Sequence, residues 1–85
     1  MNNKSEVNKL IVVINPRKLK EDLIKEGNTL TSAAKILGYS KAYISSIVTG
    51  ARNPNEKVAI KICELTGKQF NEYFFIRNVH KEITN

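Results

Sequence analysis

Cysteine occurs once, at Cys63, so no internal disulfide and no cysteine-rich metal site can form, and a reducing cytoplasm fits. Histidine also occurs once, at His80, with no cysteine to pair with it as a ligand. The one aspartate, Asp22, sits with Glu21 and Glu26 in a stretch studded with charge of both signs. No Ser-His or Cys-His spacing offers an activated nucleophile, so the sequence reads as a non-enzyme without metal or cofactor. The longest apolar run, Leu10 to Ile14, is too short to cross a membrane, and no small-residue cleavage site follows it. Neither a membrane partner nor export is expected. The most informative absence is local. From Gly27 to Asn55 there is no Asp or Glu, while Lys35, Lys41 and Arg52 all fall in that interval.

What is present fits one small domain of 85 residues. A chain this short buries only about 60% of its unfolded surface, which makes dimerisation a natural source of extra stability. The hydrophobic fraction of 41% is compatible with folding, and a net charge of +6 suits a polyanionic partner, although many folded proteins without such a partner are basic too. Residues 1–9 are polar and read as a flexible N-terminus, residues 10–80 as the domain, and residues 81–85 as a flexible tail. Leu10 to Ile14 is dense in β-branched side chains and predicts a short buried strand, whose partner lies elsewhere in the chain or in a second subunit. Asn15 and Pro16 then open a helix to about Glu26, carrying Leu19 and Leu23, with Gly27 to stop it. Asn55 caps a later helix, Glu56 to Thr66, with Val58, Ala59, Ile62 and Leu65 on one face and Cys63 beside them as core. Gly67 closes it. Phe70, Tyr73 and Phe74 predict a final short helix whose aromatics lock the bundle from below. The stretch after it alternates, with Phe74 and Ile76 on one face and Phe75, Arg77 and Val79 on the other. It is a second strand that can pair with Leu10–Ile14 as an antiparallel ribbon, within one subunit or across a dimer.

The chain is organised around Leu30 to Thr49. Leu30, Ala33, Ala34 and Leu37 recur at helical spacing and give a short helix one apolar stripe. Gly38 can take the left-handed conformation that ends it, and Ser40 can cap the next helix. Thr29 caps the first of the pair, with Thr31 as the alternative. In the second helix, Lys41 to about Val48, the residues Ile44, Ile47 and Val48 turn inward. Lys41, Ala42, Ser45 and Ser46 are left on a small, faintly basic outer face. Two helices joined across a glycine turn of this length form a helix-turn-helix. On periodicity alone the pair is equally an ordinary αα-hairpin.

Ala34, Gly38, Ile44 and Ile47, followed by Gly50 to Pro54 (GARNP), resemble the phage Cro and lambda-repressor type of helix-turn-helix domain, the XRE family. The resemblance extends through the next helix and fades after Phe74. It implies a compact, five-helix, all-α DNA-binding domain, here with short N- and C-terminal strands able to pair with each other. It also implies a transcriptional regulator, a phage or mobile-element repressor, that binds a partly palindromic double-stranded operator as a homodimer. Lys41, Ala42, Ser45 and Ser46 would then enter the major groove, where small side chains let a helix approach base edges. Thr29, Thr31, Lys35, Ser40, Tyr43, Arg52 and Asn53 would lie on phosphates, although Arg52 and Asn53 also suit a plain turn. Tyr39 is expected in the core. One departure is Leu30: the family often has Gln there, bonded to phosphate, so Thr29 or Thr31 must substitute. The alternative is a helix-turn-helix protein that binds another regulator or a toxin, exposing an apolar patch around Phe70, Tyr73 and Phe75.

Overall fold

Five helices and one two-stranded antiparallel sheet make up the fold, seen in a computed structural model that describes residues 5–82. Strand β1 (Ser5–Val13) leads into α1 (Pro16–Gly27), α2 (Leu30–Leu37), α3 (Lys41–Val48), α4 (Glu56–Thr66) and the single-turn α5 (Phe70–Tyr73), and β2 (Phe74–Glu82) returns along β1. The core joins all of them. Leu19 and Leu23 of α1, Ala33 and Ala34 of α2, Ile44 and Ile47 of α3, Val58, Ala59 and Ile62 of α4, and Tyr73 and Phe74 are essentially without solvent contact.

The helix boundaries follow from local chemistry. Thr29 Oγ1 accepts the Ser32 N–H at 3.0 Å, Ser40 Oγ the Tyr43 N–H at 3.1 Å and Asn55 Oδ1 the Val58 N–H at 2.9 Å, so three helices begin on side-chain caps. Asn15 does not cap α1 as the sequence predicts. Its Nδ2 donates to the Glu72 carbonyl at 2.8 Å instead, tying the start of α1 to α5. Gly27 is likewise not a stop signal. It is the last helical residue of α1, and the left-handed residue after it is Asn28, with φ at 72°. Glycine is needed at 27 because a Cβ there would sit 2.5 Å from the Ala33 nitrogen and 2.8 Å from its Cα, so only a bare backbone lets α1 meet α2.

The strands pair within one chain from Val13↔Phe74 to Ser5↔Glu82. They are longer than Leu10–Ile14 and Phe75–Val79, because ladder pairing uses only backbone groups and continues into the mostly polar residues 5–9 and 80–82. The expected loose ends at 1–4 and 83–85 lie outside the described residues. The prediction of a buried strand needs correction. Of Leu10–Ile14 only Ile11 is buried, whereas Leu10 and Ile14 are exposed, because a ribbon has one face on the helices and one in water. Ile14 lies beyond the strand, its N–H donating to the Tyr73 carbonyl at 2.8 Å. The molecule measures 51 Å along its longest axis against 23 and 19 Å across, so the ribbon projects from a compact helical body.

Phe70, Tyr73 and Phe74 do close the base of the bundle, with ring centroids 5.2 and 5.7 Å from Phe74. Tyr73 also carries its hydroxyl into the interior, where it donates to Asp22 Oδ2 at 2.5 Å. Lys68 and Lys18 approach the same oxygen at 3.3 and 3.7 Å, so Asp22 is the hub of a cluster joining α1 to α5 and not one more surface charge. The Tyr73 hydroxyl, followed by the two lysines, holds the Asp22 carboxyl below the usual carboxylate range against the opposing effect of burial. Burial, and then donation to Asp22, pushes the Tyr73 hydroxyl well up.

Two outcomes follow. Gly27→Ala should destabilise by about 1–3 kcal/mol in urea melts, overpacking outweighing the roughly 1 kcal/mol that alanine adds to a helix. Tyr73→Phe should cost about 1.5–3 kcal/mol at pH 7, the range for a hydrogen bond to a charged group. Asp22 has a depressed folded pKa, so its contribution is complete above its unfolded value of about 3.9 and is lost as pH falls through the folded one. The Tyr73→Phe deficit should therefore narrow on acidification, which urea melts across pH 7 to 3 would measure.

Candidate nucleic-acid interface

Gly38, at φ 89°, turns the chain from α2 into α3, and its N–H and that of Tyr39 both donate to the Ala34 carbonyl at 2.9 Å. Three residues thus separate the helices, and burial of Ile44, Ile47 and Val48 fixes the roll of α3 about its axis. Lys41 and Ala42 are exposed, Ser45 and Ser46 half-buried. The Ser46 hydroxyl donates to the Tyr43 carbonyl at 2.6 Å, which leaves its oxygen only as an acceptor toward an outside group.

Neither α2 nor α3 has an acidic residue in its first turn, so the positive ends of both dipoles are unopposed. The caps Thr29 and Ser40 accept backbone N–H groups and keep their hydroxyl protons available to an acceptor such as a phosphate oxygen. Leu30 is part of the core, and at the start of α2 the capping hydroxyl is that of Thr29. Thr31 does not cap; it is exposed on α2 with Lys35.

After α3 the chain folds back onto it. The Arg52 N–H donates to the Ser46 carbonyl at 3.0 Å, and Thr49 Oγ1 donates to the same oxygen at 3.2 Å. This brings the Arg52 guanidinium over the Tyr43 ring, 5.4 Å from its centroid. Tyr43 in turn lies 5.3 Å from Tyr39, tilted by 41°, and Lys61 of α4 lies 5.3 Å from the other ring. Four residues therefore form one stack, Arg52–Tyr43–Tyr39–Lys61, with both tyrosines half-buried against the core. Each cation–π contact at such exposure contributes about 0.5–1 kcal/mol and restricts a long side chain that would otherwise wander. The i, i+4 spacing of the tyrosines was visible in the sequence, but nothing local tells that Lys61 completes the stack. Thr31, Lys35 and Asn53 are exposed and take no part in it.

Among the described residues no group of His, Cys, Asp or Glu side chains gathers to hold a metal, and no helix is long and apolar enough to cross a membrane. Cys63 is half-buried, and desolvation pushes its thiol up, away from the reactive thiolate.

The family model described as helix-turn-helix matches residues 19–73, from Leu19 in α1 to Tyr73 in α5, well over half of the chain. No curated protein and no solved structure matches it.

The stack makes a prediction of its own. Arg52 side-chain protons should show upfield ring-current shifts that Tyr43→Phe preserves and Tyr43→Leu abolishes. A double-mutant cycle of Tyr43→Leu with Arg52→Ala should give a coupling of about 0.5–1 kcal/mol in stability. Identical proton shifts in all three proteins would show that the rings and the guanidinium do not meet in solution.

Proposed function

The chain belongs to the helix-turn-helix family of the Cro and lambda-repressor type, a family of DNA-binding regulators, and on that premise we propose that it reads a specific double-stranded operator. In this reading it acts in the cytoplasm as a homodimer on a partly palindromic site and represses transcription by blocking polymerase, as a phage or mobile-element regulator. The observation that carries the reading is the outer face of α3. It offers one exposed lysine and small side chains, and it lies in an interval free of acids from Gly27 to Asn55.

Lys41, Ala42, Ser45 and Ser46 are the base readers. A lysine donates to guanine O6 and N7, an alanine touches a thymine methyl, and Ser46, its proton already committed to Tyr43, accepts from a base amino group. Thr29 and Ser40 bind phosphates through hydroxyls at two helix N-termini. Thr31, Lys35 and Asn53 add contacts along the backbone. Arg52 meets a phosphate with its guanidinium already held on Tyr43, so less entropy is lost on binding.

A second reading, a modulator that binds another regulator or a toxin, is favoured by a different observation. A cleft of about 330 Å³ lies between the ribbon and α4, lined on its apolar side by Ile11, Pro54, Ile60, Phe70 and Ile76. The patch expected for such a protein around Phe70, Tyr73 and Phe75 is broken, however, because Tyr73 is fully buried.

Salt dependence and site selection test the DNA reading. Log affinity for a selected duplex should fall linearly with log salt, by about 0.9 per phosphate contact. Lys35→Ala should weaken all sequences alike and flatten that slope by about one unit. Bulky replacements of Ala42 or Ser46 should change the preferred base pair, with discrimination of about 1–3 kcal/mol. A protein with no duplex affinity at low salt would favour the modulator.

A further inference from the structure

The cleft between the ribbon and α4 has one wall from each. Ile11 and Ile76, which stand opposite each other across the strands, form the ribbon wall, with Lys9 two residues along on the same face. Pro54, Asn55, Glu56 and Ile60 form the other wall, and Phe70 of α5 contributes an aromatic ring. The ribbon wall lies outside the residues matched by the family model. At about 330 Å³ the cleft has the size of the smaller small-molecule sites, which are mostly apolar with a few polar groups at fixed places. Ile60 is 46% and Ile76 47% exposed, so the apolar lining is open to an incoming group. Each wall also carries one charge, Lys9 on the ribbon and Glu56 in the first turn of α4, and among the described residues neither is engaged in an ion pair. Asn55 Oδ1 is taken by the Val58 N–H, which leaves its Nδ2 to donate outward. Two neighbouring depressions lack this set: Lys68 in one is held by Asp22 at 3.3 Å, and Lys61 in the other lies over the Tyr39 ring.

We propose that the cleft binds one free apolar α-amino acid as its zwitterion. The ligand side chain lies among Ile11, Ile60, Phe70 and Ile76, the carboxylate meets Lys9 and the Asn55 amide, and the ammonium meets Glu56. Size supports this. At the roughly 30 Å³ that a water molecule occupies in the liquid, the cleft holds on the order of ten non-hydrogen atoms, which is the size of leucine or phenylalanine. Charge decides between occupants. An apolar acid would set its carboxylate against Glu56, an apolar amine would set its ammonium against Lys9, and an apolar side chain inserted by a protein partner would answer neither. A molecule that carries both signs beside one apolar group answers both walls. Since Lys9 and Glu56 are exposed, their pairing with the ligand adds selectivity more than strength, and the site is a weak one. The proposal goes beyond the DNA reading and does not depend on it, because the cleft and the outer face of α3 share no residue.

Titration of the isotope-labelled full chain with L-leucine and with L-phenylalanine should give saturable shifts at Ile11, Ile60, Phe70 and Ile76, with a dissociation constant on the order of 1 mM or below. N-acetyl-L-leucine, which lacks the ammonium, and L-leucinamide, which lacks the carboxylate, should each bind about threefold more weakly or worse, as loss of an exposed ion pair implies. Lys9→Met and Glu56→Gln alter exposed side chains and should keep the helical circular dichroism while each weakens leucine by a similar factor. In Lys9→Met the penalty for leucinamide should shrink, because the cation that met the carboxylate is gone. Ile36→Lys, altering an exposed apolar residue on α2, should bind leucine like the wild type. Absence of saturable shifts into the tens of millimolar overturns the proposal. So does equal affinity for leucine and both analogues, which would leave the cleft to apolar groups of a protein partner. Folded Lys9→Met and Glu56→Gln variants that bind like the wild type, or loss of binding in Ile36→Lys, overturn it as well.

Discussion

The contact on which the rest depends is the backbone-close approach of α1 to α2 at Gly27 and Ala33. With no Cβ at 27 and only methyl groups at 33 and 34, α2 settles onto α1 closely enough for its whole apolar stripe to be buried. The turn at Gly38 then leaves α3 a single direction, because the two N–H groups after α2 are both committed to the Ala34 carbonyl. Ile44 and Ile47 lock its roll. The outward face of α3 is thus determined by contacts made on the far side of α2.

Charge is divided to match. The one aspartate is used at the half-buried base of the bundle, where Tyr73, Lys68 and Lys18 converge on it and anchor α1 to α5. Within α2, α3 and the loop after them there is no acid, and the first turns of both helices carry none. Such a surface attracts polyanions before any particular side chain makes contact. The stack from Arg52 to Lys61 adds order to that field, since it holds one cation at a fixed place beside α3.

Much of this was legible in the sequence because it is local. Gly38, Ser40, Thr29 and Asn55 act within one helical turn, and the inward residues of α3 follow from its period. What was not legible depends on approach in three dimensions. Gly27 looks like a stop signal until Ala33 is beside it, Asn15 looks like a cap until Glu72 arrives, and Lys61 looks like a solvated lysine until Tyr39 lies beneath it. Pairing of the two ends was foreseeable from the β-branched run Leu10–Ile14 and the alternation after Phe74. Its full length was not, since the ladder beyond Leu10 is made by backbone groups of polar residues.

The central claim is that the face of α3 with its flanking caps and Arg52 is the surface that meets DNA. It is tested most directly by following backbone amide shifts of the labelled protein as duplex DNA is added. The largest changes should fall on residues 40–46, with further changes at Thr29, Lys35 and Arg52, while Ile60 and Phe70 beside the cleft stay unmoved. Changes concentrated at the cleft or the ribbon, with α3 silent, would contradict it.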